Sequence, residues 1–250
     1  MCKREISQCY VFVIDGFVAG LFDPAMFKRL LPLATLGAIA TAASLHATVL
    51  TFNITPAPAD DATIPADYGN RAASASQVGG GGTYGYGNFG EGFTPNVTDS
   101  FGTATNFFST GYGALVNVAY ANDGHFSLTF TGDAGFNVSL YSFDLAGLDQ
   151  SYTISSVSVL SGATTLFSQS NVLVNGSSNG TGMTSFSFGP LTAHTLTVQF
   201  DASNLGANVQ NVGIDNIRIG QVAVPEPSSL ALIGFAGVAS FFIRRRFFRA

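Results

Sequence analysis

The chain has 250 residues, of which only 10% are charged, and its mean hydropathy is +0.32. Within residues 48–224 the only basic side chains are Arg71 and Arg218; against eleven acidic ones they give this span a net charge of −9. Nucleic-acid phosphates are bound by clustered Lys and Arg, so this composition excludes a nucleic-acid partner. The two cysteines, Cys2 and Cys9, belong to no zinc-binding or redox pattern, and neither lies in the predicted mature chain.

Residues 1–47 have the layout of a secretory signal peptide. A basic segment at 26–29 (MFKR) is followed by an apolar run of 14 residues and then by small residues. This order predicts export, with cleavage after Ala47 or, as the alternative, after Ala43. Residues 1–25 do not fit the layout, and they either precede a true start at Met26 or form an unusually long basic region.

The first half of the ectodomain is weakly patterned. Residues 48–52 are predicted to form a strand, whereas prolines and glycines in 56–113 predict an irregular, Gly-rich part. Within it, Tyr84, Tyr86 and Phe89 are separated by Gly and Asn. We interpret this segment either as a flexible surface loop or as an aromatic platform on which sugar rings stack.

From residue 115 onward, apolar and hydroxyl side chains alternate with a period of two. The alternation is clearest at 126–130, 136–140 and 196–200, and it is typical of half-buried antiparallel strands. Turn signals such as Asn-Asp-Gly and Asn-Gly separate the segments. The sequence therefore predicts an all-β ectodomain over 48–222, an antiparallel two-sheet, jelly-roll-like sandwich flanked by an N-terminal signal helix and a C-terminal hydrophobic helix. Further strands are predicted at 152–160, 164–169, 183–188 and 212–219.

The C-terminal segment 223–250 combines three features in a fixed order. Pro225-Glu226-Pro227 is followed by 16 largely apolar residues (228–243) and then by an arginine cluster. As a helix the apolar run reaches only about 24 Å, less than a hydrocarbon core of about 30 Å. Arginines beyond the run hold its end in the cytoplasm. This geometry favours a transient sorting signal at the inner membrane over a lasting anchor. The arginines are Arg244, Arg245, Arg246 and Arg249.

These features resemble the PEP-CTERM sorting domain of exopolysaccharide-producing Gram-negative bacteria. The resemblance implies that an exosortase, a membrane transpeptidase, recognises Pro225, Glu226 and Pro227 and removes the tail near that motif. It also implies a location at the cell envelope, on the cell surface or in the extracellular matrix.

A second resemblance concerns residues 213–219 (GIDNIRI). This segment is similar to the last strand of carbohydrate-binding-module-like jelly rolls, over a span from about 115 to 219. Jelly rolls of that type can hold a structural calcium near the edge of the sandwich. Asp215, where the alternation between Ile214 and Ile217 breaks, is either a calcium ligand or part of a β-bulge. No other cofactor is expected.

Three functions compete at this level. The first is a non-enzymatic structural or adhesive protein of the envelope or biofilm matrix. The second is a carbohydrate-binding protein that retains exopolysaccharide. The third is a hydrolase with a pair of carboxylates from distant strands. His125 and His194, the only histidines of the predicted mature chain, are expected to be ordinary strand-end residues. The sequence therefore favours a protein without catalysis.

Overall fold

The computed structural model describes residues 47–90 and 92–224. The predicted signal helix, Glu91 and the C-terminal segment from Pro225 onward lie outside the described residues. Within the described part, no helix has the length and apolar character needed to cross a membrane.

Thirteen strands and one short 3-10 helix (Ser203–Asn208) make up the described chain. Every strand pair is antiparallel. The strands are β1 (Ala47–Thr55), β2 (Ser76–Gly79), β3 (Gly82–Asn88), β4 (Val97–Phe101), β5 (Thr105–Phe108), β6 (Val118–Ala121), β7 (His125–Gly132), β8 (Phe136–Gly147), β9 (Tyr152–Ser161), β10 (Thr164–Val174), β11 (Thr184–Ala193), β12 (Thr195–Asp201) and β13 (Val212–Ala223).

The strands form two sheets. Sheet A has eight strands in the order β11-β8-β13-β1-β3-β2, with β6 also paired to β13 and β5 paired to β6. Sheet B has five strands in the order β10-β9-β12-β7-β4. Their inner faces share one hydrophobic core, to which β7 contributes Phe126, Leu128 and Phe130, all 1% exposed or less. The prediction of an all-β, two-sheet antiparallel sandwich is thus confirmed.

The alternation of apolar and polar residues explains why these segments form strands. In β12, Leu196, Val198 and Phe200 are buried, and the Thr and Gln between them are partly exposed. A period of two places such a set on one face of a pleated strand, which can then pack against the opposite sheet. The four later strands predicted from the pattern all occur, although β10, β11 and β13 extend several residues beyond the predicted ends.

The prediction that residues 56–113 are irregular was wrong for part of that segment. It contains β2, β3, β4 and β5, each only four to seven residues long. In β3, Gly85 and Gly87 alternate with Tyr84 and Tyr86, and because glycine weakens a strand interior, this Tyr-Gly pattern did not predict a strand. The remainder of the segment, including residues 56–75, lacks long strands, as expected.

The two ends of the described chain lie side by side inside sheet A. β1 begins beside the end of β13, since Ala47 pairs with Gly220 and Leu50 with Ile217. Ala47 is fully buried, and its carbonyl accepts a hydrogen bond from the Phe89 N–H (3.1 Å). Cleavage after Ala47 would remove this residue from the strand. The cleavage position, after Ala47 or after Ala43, stays a prediction.

Candidate functional site

The predicted sugar-stacking platform has to be corrected for two of its three rings. Tyr84 is fully buried and Tyr86 is only 5% exposed. Their rings pack edge-on and tilted against the ring of Tyr68, at centroid distances of 5.3 and 5.4 Å. A sugar cannot reach these faces without unpacking the core. The alternative interpretation, a flexible surface loop, fails as well, because both tyrosines belong to β3.

The hydroxyl groups of these tyrosines hold the segment 65–70 against the sheet. Tyr84 donates a hydrogen bond to Asp67 Oδ1 (2.5 Å) and accepts one from the Gly81 N–H (2.9 Å). The bond from Tyr84 is the main reason that the pKa of Asp67 lies below its usual value. Tyr86 Oη accepts a hydrogen bond from the Gly69 N–H (2.8 Å). Their roles are therefore structural, which the sequence could not reveal because buried and exposed tyrosines alternate with glycine in the same way.

Asp215 lies at a β-bulge in β13. The register with β8 shifts between Asp215 and Arg218, and Asn216 has a positive φ of 53°. Asn and Asp tolerate this left-handed conformation better than most residues. The Asn216 N–H donates to Asp215 Oδ1 (2.6 Å), and Asn216 Nδ2 donates to Asp144 Oδ2 (3.0 Å). Of the two interpretations of this break in alternation, the bulge is present.

The electrostatics of Asp215 are unusual for a carboxyl group. It is only 4% exposed, and its partner across the register with β8 is another carboxyl, Asp144. Burial, together with the repulsion of Asp144, raises the pKa of Asp215 to about 8. No three His, Cys, Asp or Glu side chains among the described residues are close enough to hold a metal ion. A calcium ion at Asp215 remains a prediction.

Phe89, the third predicted platform residue, does lie at the surface. Its ring is 60% exposed, and the Arg218 guanidinium stands 3.5 Å from the ring centroid. The same guanidinium lies 4.7 Å from the ring centroid of Tyr141 on β8. This arrangement is a double cation–π contact, which fixes a long side chain that would otherwise sample many rotamers. Arg218 Nε is buried there without a hydrogen-bond partner among the described residues.

These groups form one cluster on the outer face of sheet A, which we call the outer-face cluster: Phe89, Tyr141, Asp144, Asp215 and Arg218. Alternation places Arg218 and Asp144 outward, since the residues that flank them on β13 and β8 are core residues. Arg218 pairs with Ser142, and Asp215 pairs with Asp144. Because Ser142 and Asp144 are two residues apart on β8, Arg218 and Asp215 lie about 7 Å apart along the strands. The cluster offers an exposed aromatic ring, a fixed cation and a nearby carboxylate, which are groups that hydrogen-bond and stack on polar ring compounds.

A second buried carboxyl belongs to sheet B. Asp99 on β4 is 8% exposed, and neither carboxyl oxygen has a hydrogen-bond partner among the described residues. Burial raises its pKa well above the usual range. A side chain at Gly69, whose φ is +88°, would collide with this carboxyl, so glycine is required there. A cavity of about 190 Å³ adjoins β4, but the Asp99 oxygens are closed off from solvent.

The two histidines occupy the positions expected for strand-end residues. His125 begins β7, and its Nδ1 lies 3.5 Å from Asp201 Oδ1 in an exposed pair. His194 lies between β11 and β12, where Nδ1 is 3.1 Å from the Phe136 carbonyl oxygen. Neither belongs to the outer-face cluster.

The comparisons with known proteins identify the C-terminal segment. Residues 223–246 match the family model described as the PEP-CTERM protein-sorting motif. That range contains Pro225, Glu226 and Pro227 and the arginine cluster as far as Arg246. The motif implies an exported, cell-surface protein that an exosortase processes. No curated protein matches the sequence of this chain.

Among solved structures, the chain is similar to cyclases from Fischerella sp. TAU. The Stig cyclase Fisc, in complex with (3Z)-3-(1-methyl-2-pyrrolidinylidene)-3H-indole, is 16% identical, with a TM-score of 0.32 over 51% of this chain and 77% of that one. A cyclase in complex with 4-(1H-indol-3-yl)butan-2-one is 14% identical, with a TM-score of 0.31 over 75% and 94%. TM-scores this low support no conclusion about the activity or ligand of this chain.

Proposed function

We propose that this chain is a structural or adhesive protein of the cell envelope or extracellular matrix, without catalytic activity, whose sandwich is displayed by its sorting tail. The observation that carries the proposal is the junction between tail and fold. The sorting motif begins at residue 223, the last residue of β13. The strand and the motif adjoin without a linker. A mobile catalytic head would usually be joined to its anchor by a flexible linker.

The position of β13 supports a role in which the protein resists pulling. β13 lies inside sheet A, between β8 on one side and β1 and β6 on the other. Its register with β8 runs from Val212 to Ala223. A force applied through the tail along β13 acts on both flanking ladders together, so many backbone hydrogen bonds must break in the same step.

The burial of Asp215 supports the absence of catalysis. A glycosidase needs one carboxylic acid that reaches the leaving-group oxygen and a second carboxylate that reaches the sugar or a water. Asp144 and Asp215 are neighbours, and the pKa of Asp215 is raised. However, Asp215 is only 4% exposed, and its Oδ1 accepts a hydrogen bond from the Asn216 N–H of the bulge. An exposed fraction of 4% leaves little of Asp215 for a substrate oxygen to reach.

Processing of the tail provides the first test. In an exosortase-containing host, mature wild-type protein should lack residues 244–250 when its C-terminus is read by mass spectrometry. Glu226→Ala should stay uncut in the inner membrane, because it removes the charged side chain that the flanking prolines, by keeping the backbone out of helix, present to the enzyme. Glu91→Ala, at the other glutamate of the predicted mature chain, is the matched control and should be processed normally.

The same strains test the role of the sandwich. Cells displaying the processed protein should adhere to one another or to their matrix more than cells expressing Glu226→Ala. A surface protein that keeps its arginine cluster would show a tail anchor instead of a sorting signal. Glycan turnover by the purified protein that disappears on replacing Asp144 or Asp215 would support the hydrolase and overturn the proposal.

The outer-face cluster favours a second candidate, a carbohydrate-binding protein that retains exopolysaccharide. The exposed Phe89 ring provides a stacking face, and Arg218 provides donors for sugar hydroxyl or carboxylate groups. If this candidate is correct, Phe89→Ala should weaken glycan binding at least about tenfold, which corresponds to the loss of one stacking contact and of the order it imposes on Arg218. A glycan array with the mature protein measures this.

Val116→Ala provides the matched control for Phe89→Ala. Val116 is 58% exposed and lies outside the cluster, so its replacement should leave any glycan signal unchanged. Equal signals from the wild type and the Phe89 variant would remove the cluster as a glycan site.

A further inference from the structure

The edges of the two sheets are protected unequally. An unprotected edge strand presents free N–H and C=O groups and invites another strand, and proteins commonly block such edges with charges, proline, bulges or covering loops. In sheet B, β4 is covered by the loop before β2: the Arg71 N–H donates to the Val97 carbonyl (2.8 Å), and the Asp99 N–H donates to Asn70 Oδ1 (2.6 Å).

The edges of sheet A are also blocked or short. β5 is covered by residues 61–64, since the Asp61 N–H donates to the Phe107 carbonyl and the Phe107 N–H to the Ala62 carbonyl. β2 has only four residues. β11 is interrupted between Ser187 and Leu191, where Gly189-Pro190 shifts the register.

β10 has fewer of these protections, although its register with β9 shifts between Thr165 and Phe167. It is eleven residues long, lies at the edge of sheet B, and contains neither proline nor a charged residue. It pairs with β9, and between Thr164 and Val172 no hydrogen bond to any other described residue occupies its outer side. Only near its end does the Leu173 carbonyl accept a bond from Thr184 Oγ1 (3.0 Å).

The charge distribution indicates which partner can approach this edge. Between Asp149 and Asp201 the sequence contains no Asp, Glu, Lys or Arg, although residues 48–224 as a whole carry a net charge of −9. This uncharged stretch forms β9, β10, β11 and most of β12. Two copies therefore repel one another through the rest of their surfaces but not through the side that carries β10.

We propose that β10 pairs antiparallel with β10 of a second copy of this chain, joining the two B sheets into one across a two-fold axis. Such an interface is self-complementary, since the same strand serves both copies, and its affinity comes from main-chain hydrogen bonds. The sorting tail places all copies on one surface, which raises their local concentration. The inference rests on the proposed function, because it supplies the contact by which displayed copies would form a matrix.

Single cysteines test the proposal in the exported full-length chain. With Cys2 and Cys9 replaced by Ser, the chain has no other thiol. Residues facing each other across an antiparallel pair have Cα atoms about 4.5–5.5 Å apart, within the range that a disulfide bridges. Cysteines introduced singly at 165–171 should therefore form disulfide-linked dimers in an oxidising compartment, with a maximum at the one or two positions nearest the two-fold axis.

Ser100 on β4 offers a matched control for Ser168 on β10. Both are exposed serines on edge strands of sheet B, at opposite sides of the sheet. The best β10 position should give at least about tenfold more linked dimer than Ser100→Cys. Ser168→Lys, or Ser170→Lys where 168 is the best cysteine position, should abolish the linkage because a lysine on an edge strand blocks strand pairing, whereas Ser100→Lys should not.

Each remaining outcome counts against self-pairing. Equal linkage at Ser100, linkage at no β10 position, or a linked product with the mass of a different protein would overturn it. The proposed function fails separately, since tail processing and cell adhesion are read without any cysteine. Normal processing and adhesion without β10 linkage would leave the proposed function standing and remove only this contact.

Discussion

Replacing Asp215 with Asn should make the stability of the protein much less dependent on pH. The pKa of Asp215 is about 8 in the folded protein, against an ordinary value of 3.8 that applies when the chain unfolds. The folded state therefore holds this proton more tightly, so the stability it contributes is complete below about pH 3.8 and is lost as the pH rises to about 8. Over that window each pH unit costs about 1.4 kcal/mol of unfolding free energy.

Urea unfolding of the mature protein at a series of pH values measures this slope. Between pH 5 and pH 8 the wild type should lose roughly 4 kcal/mol through Asp215 alone. Asp215→Asn should retain most of that stability, because the amide cannot ionise and its oxygen can still accept the Asn216 N–H. The pKa of Asp99 is also raised by burial, so the unfolding free energy of the variant should still fall with rising pH, though less steeply.

Asp149→Asn controls for the change of one charge. Asp149 is exposed, and its positive φ of 60° suits Asn equally well. Its pH profile should follow that of the wild type. Parallel profiles for wild type and Asp215→Asn would mean that Asp215 is ionised and solvated in the folded state.

The strands with regular alternation could be predicted from sequence, since burial on one face of a sheet imposes a period of two on the residues themselves. β7 and β12 are examples, with Phe126, Leu128 and Phe130 facing Leu196, Val198 and Phe200 across one ladder. The bulge at Asp215 was also predictable, because an extra residue breaks that period. The order of the strands in each sheet was not, since alternation carries no information on which strands pair.

The outer-face cluster was beyond sequence reasoning for a different reason. Phe89 and Arg218 are far apart along the chain and meet only because β1 pairs with both β3 and β13. Tyr84 and Tyr86 show the opposite error. Their Tyr-Gly alternation was interpreted as an exposed aromatic surface, whereas the structure buries both rings under the segment that carries Tyr68.

Tyr68 connects that segment to the first strand, and removal of its hydroxyl should cost far more than one ordinary hydrogen bond. The ring is fully buried and stacks on Phe52 with centroids 5.1 Å apart. Its Oη accepts hydrogen bonds from the N–H groups of Thr51 (3.1 Å) and Phe52 (2.5 Å). Both groups lie where β1 shifts register against β3, and Phe52 has a positive φ of 50°, which is rare for an aromatic residue.

Tyr68→Phe keeps the ring but leaves two backbone N–H groups without their acceptor. Each orphaned buried donor costs about 1–3 kcal/mol, so the unfolding free energy should fall by about 2–6 kcal/mol. The control is Tyr152→Phe, where Oη accepts bonds only from the side-chain amides of Gln150 and Asn211, which can turn to water, so the loss should stay below about 1 kcal/mol. Urea midpoints at constant m-value measure both losses. Similar losses in the two variants would show that the Tyr68 hydroxyl does not hold the β1 bulge in place.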